Sequence, residues 1–116
     1  MNARRDVLKG MTTASLAGLP LAAVLADPRL AQAAAAKLQD VGLTTAGGKA
    51  VSASLAMPAK TPAPTLILIH EWWGLNDQIK AVAAEYANLG YVTLAVDLMD
   101  GKVATTPDAA RADRRR

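Results

Sequence analysis

The chain of 116 residues has no cysteine, no phenylalanine and a single histidine, His70. The missing cysteine excludes disulfides, thiolate metal sites and a cysteine nucleophile from within these residues. A single histidine excludes any motif that needs two imidazoles. Without phenylalanine, the core must be built from alanine and aliphatic side chains, which bury less area per residue in a chain already short for its surface. Charge is also scarce as a signal. The formal net charge is +3, but from Ala34 onward there are 9 Lys and Arg against 8 Asp and Glu. The basic balance lies in Arg4, Arg5, Lys9 and Arg29 and in the closing Arg114-Arg115-Arg116, which read as a solvated tail. No aromatic or helical recognition pattern accompanies them, so no nucleic-acid partner is expected.

What is present begins with an address. In "ARRDVLKGMTTASLAGLPLAAVLADPRLAQA" the pair Arg4-Arg5, followed by Leu8 and Lys9, resembles a twin-arginine export signal. Residues 10–26 carry no charge and are only moderately hydrophobic, which suits such a signal better than a membrane span of ~20 predominantly apolar residues. Ala31-Gln32-Ala33 fits small-x-small cleavage, so processing is expected after Ala33. The expected organisation is a signal peptide over residues 1–33 and a domain over 34–116. Delivery is to the periplasm or beyond, with membrane contact only during export.

After a small-residue linker at 33–36, residues 41–57 predict a β-hairpin. Gly47-Gly48 supplies the turn, and Val51, Ala53, Leu55 and Met57 share one face. "PAKTPAP" then connects to Thr65–Ile69, an uninterrupted apolar run of the kind expected in a strand covered on both faces. Asn76 and Asp77 are N-cap types. Ile79, Val82, Ala83, Tyr86 and Leu89 follow at helical spacing, and Gly90 suits a C-terminal cap. A second buried strand is expected from Tyr91 to Val96. Strand, helix and strand form a βαβ unit with a right-handed crossover. Thr106-Pro107-Asp108 predicts another helix start, with room for about two turns before Arg116.

"LIHEWWGLN", residues 68–76, gathers the only histidine and both tryptophans at the end of an apolar strand. A zinc-protease HExxH reading fails because position 74 is glycine. A structural reading has Trp72 and Trp73 packing at the strand end with His70 and Glu71 solvated. A catalytic reading places His70 and Glu71 outside a strand's carboxyl end, where open α/β sheets bind ligands. There Glu71 is partly desolvated by the indoles, and the following backbone N–H groups can meet a developing negative charge. A third reading is a carbohydrate or aromatic platform made by Trp72 and Trp73. Asp97 ends the second strand and reads best as a turn or cap residue. Ser15, Ser52 and Ser54 lie in no GxSxG elbow, and no phosphate-cradling glycine motif follows either strand, so no cofactor or metal is expected.

"APTLILIHEWWGLNDQIKAVAAEYANLGYVTLAVDLMDGKVATTPDAAR" resembles the N-terminal part of the dienelactone hydrolases (carboxymethylenebutenolidases), over roughly residues 41–111. The resemblance rests on the HEWWGLN turn, the helix ending LGY and the strand ending VDL. It implies the N-terminal part of an α/β-hydrolase fold: here a β-hairpin followed by a βαβ unit, incomplete. It also implies hydrolysis of ester or lactone bonds by a Cys-His-Asp triad whose cysteine sits in GxCxG. By resemblance, Glu71 contacts and helps activate the nucleophile, and the Trp72 N–H belongs to the oxyanion hole. His70 is not the triad histidine. This chain lacks GxCxG and the later Asp and His. The expectation is therefore a piece of a longer hydrolase, inactive alone, with unpaired strand edges and a tendency to aggregate. The expected partners are a small ester or lactone and a separately encoded C-terminal half. The rival expectation is a small exported binding protein using Trp72 and Trp73.

Overall fold

The computed structural model describes residues 19–114. The arginine pair and the first part of the expected signal lie outside them. Two short helices come first, α1 at Leu21–Ala26 and α2 at Pro28–Ala35. Asp27 caps α2 by accepting from the Arg29 N–H at 2.9 Å, with Pro28 in the first turn, where its missing N–H costs nothing. The expected linker at 33–36 is therefore corrected: alanine is the strongest helix former, and Ala33–Ala35 complete α2.

Strands β1 (Gln39–Thr44) and β2 (Ala50–Ala56) pair antiparallel, as the hairpin reading required. The turn closes through the Thr45 N–H on the Lys49 carbonyl at 2.9 Å, and Gly48 adopts φ 86°. That value suits glycine because it carries no Cβ. Strand β3 spans Thr65–Ile69, helix α3 spans Asp77–Asn88, and strand β4 spans Val92–Val96. β3 and β4 are parallel neighbours, so the βαβ unit is observed as expected. Helix α4 runs from Pro107 to Arg114 and begins where Thr106 Oγ1 accepts from the Ala109 N–H.

Both ends of α3 are written in the sequence. Asn76 Oδ1 accepts from the Ile79 N–H at 3.0 Å. At the far end the Gly90 N–H donates to Ala87 and the Tyr91 N–H to Tyr86, a Schellman closure with Gly90 at φ 104°.

The sheet order is β1-β2-β4-β3. β4 therefore has neighbours on both sides, and of the two apolar strands only β3 lies at an edge. One face of the sheet packs on α3 through Ala56, Ala95 and Leu68 against Ala83, Ala87, Leu75 and Ile79. The small alanines, rather than Tyr86 or Leu89, form this contact; Leu89 remains 64% exposed. On its other side α3 meets the N-terminal helices, where Ala81 joins Val24, Ala31 and Ala34.

The expectation that β3 is covered on both faces is corrected. Ile67 and Ile69 are 65% and 59% exposed. Their side chains project from the face opposite α3, and among the described residues the helix packed on the sheet is α3.

Candidate active site

The parallel register sets Ile69 beside Val96, so β3 and β4 end level with one another. Their next residues, His70 and Asp97, open two adjacent loops at the carboxyl edge of the sheet, where α/β folds place their ligands.

The two loops are tied together. His70 is 8% exposed and not solvated. Its Nε2 accepts from the Leu98 N–H at 2.9 Å, and its Nδ1 lies 2.6 Å from the Glu71 carbonyl. An acceptor at Nε2 and a carbonyl at Nδ1 require the neutral tautomer protonated on Nδ1. Further along, the Ala104 N–H donates to the Trp73 carbonyl at 2.9 Å. Gly74, at φ 91°, lies directly against the Lys102 carbonyl, where a Cβ would overlap the oxygen. The second loop is shaped by Asp97, whose two carboxylate oxygens accept from the Met99 and Gly101 N–H groups at 2.9 and 2.8 Å. Asp97 is thus a turn residue, as its sequence context suggested.

Glu71 and Trp72 sit at the head of the first loop. The Glu71 carbonyl accepts from the Gly74 N–H at 3.1 Å, which together with His70 fixes the backbone on either side of Trp72. Among the described residues no acceptor takes the Trp72 N–H, nor those of Trp73 and Leu75, whereas those of Gly74 and Asn76 are bonded. The Glu71 side chain is exposed rather than desolvated by the indoles. It borders a cleft of about 350 Å³ whose walls include Trp73, Ile79, Val82 and, from α1, Leu25. Trp72 and Trp73 are half-buried and pack on each other edge to face, with centroids 5.1 Å apart and planes at 60°. They form no flat double-ring platform of the kind a sugar would stack on.

Residues 51–116 match the model of the dienelactone hydrolase family. The chain belongs to the dienelactone hydrolase family. The matched residues begin at the second residue of β2 and contain β3, α3, β4, α4 and both loops. A "Putative carboxymethylenebutenolidase" of Saccharolobus solfataricus is 47% identical over 51 residues, 44% of this chain and 20% of that protein. Another from Aquifex aeolicus is 36% identical over 66 residues, 54% of this chain and 28% of that protein. "Protein usf" of Aquifex pyrophilus is 41% identical over 66 residues, again 28% of its length. A solved structure titled "m3DLH" superposes with a TM-score of 0.55 at 26% identity, covering 67% of this chain and 34% of that one. The sheet and its helices are thus part of an α/β-hydrolase fold, and the chain spans about a third or less of the proteins it matches.

Sequence reasoning missed the bracket made by His70, because a lone histidine beside a glutamate carries no pattern that distinguishes a ring-to-backbone link from a solvated side chain. The nearness of Leu98 follows only from the parallel register. Gly74 was legible as the residue that excludes HExxH, but not as the point where two loops touch.

Proposed function

We propose that residues 34–116 supply part of an ester- or lactone-hydrolysing site, with Glu71 assisting the nucleophile and the Trp72 N–H binding the oxyanion. The nucleophile attacks the substrate carbonyl, the negative charge moves to its oxygen, and the alcohol leaves. Water then releases the acid from the covalent intermediate. A preorganised N–H aimed at the oxyanion contributes about 3 kcal/mol to such a step. The observation that carries the reading is the backbone at Trp72. It is fixed on both sides, its N–H is without an acceptor among the described residues, and it lies in the family-matched segment at the carboxyl edge of a parallel strand pair.

The cysteine-free sequence holds no family nucleophile. That group, with its Asp and His partners, belongs to the portion of the family domain outside the matched segment. The chain alone is inactive. Its substrate is a small ester or lactone. Residues 1–33 direct twin-arginine export to the periplasm or beyond, a reading supported by Arg4, Arg5 and the uncharged stretch that follows.

A chimera tests the site. Residues 51–114 replace the corresponding segment of the Aquifex aeolicus relative, and p-nitrophenyl acetate hydrolysis is followed. Activity should be retained, and Glu71→Gln in the chimera should lower kcat at least tenfold. An E71Q chimera as active as its parent removes Glu71 from the mechanism.

A further inference from the structure

His70 is the one imidazole in the chain, and main-chain groups of both loops engage its two ring nitrogens. In the neutral ring the Nδ1 proton is shared with the Glu71 carbonyl at 2.6 Å, while Nε2 accepts from the Leu98 N–H at 2.9 Å. Histidine is the side chain whose charge ordinarily changes between about pH 5 and 8. A second proton can enter only at Nε2, and it turns that nitrogen from an acceptor into a donor. Two N–H groups then face each other across 2.9 Å, on a ring that is 8% exposed. A buried donor left without an acceptor is costly, so the pair must part.

The charges around the ring do not offset this. Strands β3 and β4, which lead into the two loops, carry no ionisable side chain. In the first loop the Glu71 side chain is exposed, as is Asp77 at the start of α3. In the second loop both Asp97 oxygens are held by the Met99 and Gly101 N–H groups, and Asp100 pairs with Lys49 of the hairpin turn. The Lys102 ammonium there is a further positive charge, buried without a partner among the described residues. Asp40 and Lys80 line a cavity beside Asp97 that His70 does not border, and Asp108 on α4 pairs with Arg111. No ion pair joins the ring to a carboxylate among the described residues. A carboxylate arriving from elsewhere would have to displace the Glu71 carbonyl or the Leu98 N–H, because these already occupy both nitrogens.

We infer that His70 is an acid-sensitive latch between the two loops. Its protonation releases the Leu98 N–H and, by moving the ring, frees the Glu71–Trp72 backbone. The links from Trp73 to Ala104 and from Gly74 to Lys102 involve no titrating group, so the loops pivot there and stay together. The consequence for hydrolysis, a misaligned Trp72 N–H and a slower reaction in acid, rests on the proposed function. The latch itself rests on the contacts of the ring.

The test uses the ¹⁵N-labelled full chain, titrated from about pH 8 to about pH 5. Near pH 8 a ¹⁵N–¹⁵N coupling should pass through the Leu98 N–H···Nε2 bond. It should vanish as the ring gains its second proton, with the Leu98 amide proton moving upfield, and return when the pH is raised. The Ile79 amide, whose acceptor Asn76 does not titrate, should stay in place. His70→Gln supplies an acceptor that does not titrate, so its Leu98 amide should hold one position throughout. A Leu98 amide that stays put while the ring titrates overturns the inference. So does a ring still singly protonated at the acid end, or the same Leu98 movement in H70Q. In the chimera with the Aquifex aeolicus relative, the ratio of kcat/KM between H70Q and its parent should rise about threefold or more toward the acid end. A flat ratio, with the loss at Leu98 still seen, upholds the latch and counts against the oxyanion role of Trp72.

Discussion

The His70 ring accepts a hydrogen bond from the Leu98 N–H at 2.9 Å, linking residues 28 positions apart at the ends of two parallel strands. The other ring nitrogen faces the carbonyl of the very next residue, so one side chain fixes where the Glu71–Trp72 backbone lies relative to the second loop. Replacing His70 with alanine leaves the Leu98 N–H without its acceptor in a partly buried site, at a cost of about 1–3 kcal/mol. A urea titration followed by tryptophan emission should show that loss, and long-range ¹⁵N spectra of the parent should show the tautomer protonated on Nδ1. A ring protonated on Nε2 contradicts the bracket.

Gly74 is irreplaceable for two reasons that act together: its φ of 91° and the Lys102 carbonyl where a side chain would begin. Gly74→Ala should destabilise the chain by about 2 kcal/mol or more, because either the backbone conformation or the second loop must give way. Gly42→Ala is the internal control. It has open space around its Cβ position and lies in β1, so its melting temperature should stay near that of the parent.

Asn76→Ala removes the cap of α3 and should cost about 1 kcal/mol, whereas Asn76→Asp should retain most of the stability because a carboxylate also accepts from the Ile79 N–H. Thermal melts of the two variants side by side give the comparison. Equal losses would mean that the cap does not hold the start of the helix.

The exposed pair Lys49–Asp100, 3.9 Å apart with side chains 67% and 70% accessible, should contribute almost nothing. Lys49→Ala is expected to leave the denaturation midpoint unchanged. A loss above 1 kcal/mol would assign the pair a role in holding the hairpin turn near the second loop.

Export makes a separate prediction. Arg4→Lys with Arg5→Lys should keep the chain in the cytoplasm on cell fractionation, and unchanged delivery would remove the twin-arginine reading. The expected cleavage after Ala33 falls inside α2, whose Ala31 and Ala34 pack against Ala81. Processing of the folded chain should therefore be slow, and Ala81→Asp, which loosens that packing from the α3 side without touching the cleavage motif, should accelerate it in a time course by immunoblot.

Much of the fold was legible because local rules agreed with one another: Gly47-Gly48 at the turn, Asn76 and Gly90 at the helix ends, and Thr106-Pro107 opening α4. The misreadings arose where packing decides. The run Thr65–Ile69 has the composition of a strand covered on both sides, and it lies at an edge with Ile67 and Ile69 outward. Composition records the surroundings for which a strand is suited, not those present within residues 19–114. Tyr86 and Leu89 matched the helical period of α3, yet Ala83 and Ala87 make the contact, because periodicity does not tell which side of a helix a sheet will approach. At the site, Glu71 and Trp72 were singled out by scarcity and resemblance. The links that hold them required the register of β3 on β4.

The strand order carries a consequence for synthesis. β2 and β3 are consecutive in the chain but never touch, because β4 lies between them. As the chain emerges from the ribosome, the hairpin can close at once, while β3 must wait, apolar and unaccompanied, until Val92–Val96 arrives. Among the described residues β4 is the strand that joins the hairpin to β3, so these four strands assemble in a single event on its arrival rather than strand by strand. The vulnerable interval is the time needed to translate from Ile69 to Val96, and a chaperone that binds Thr65–Ile69 during that interval would act at the point of greatest exposure.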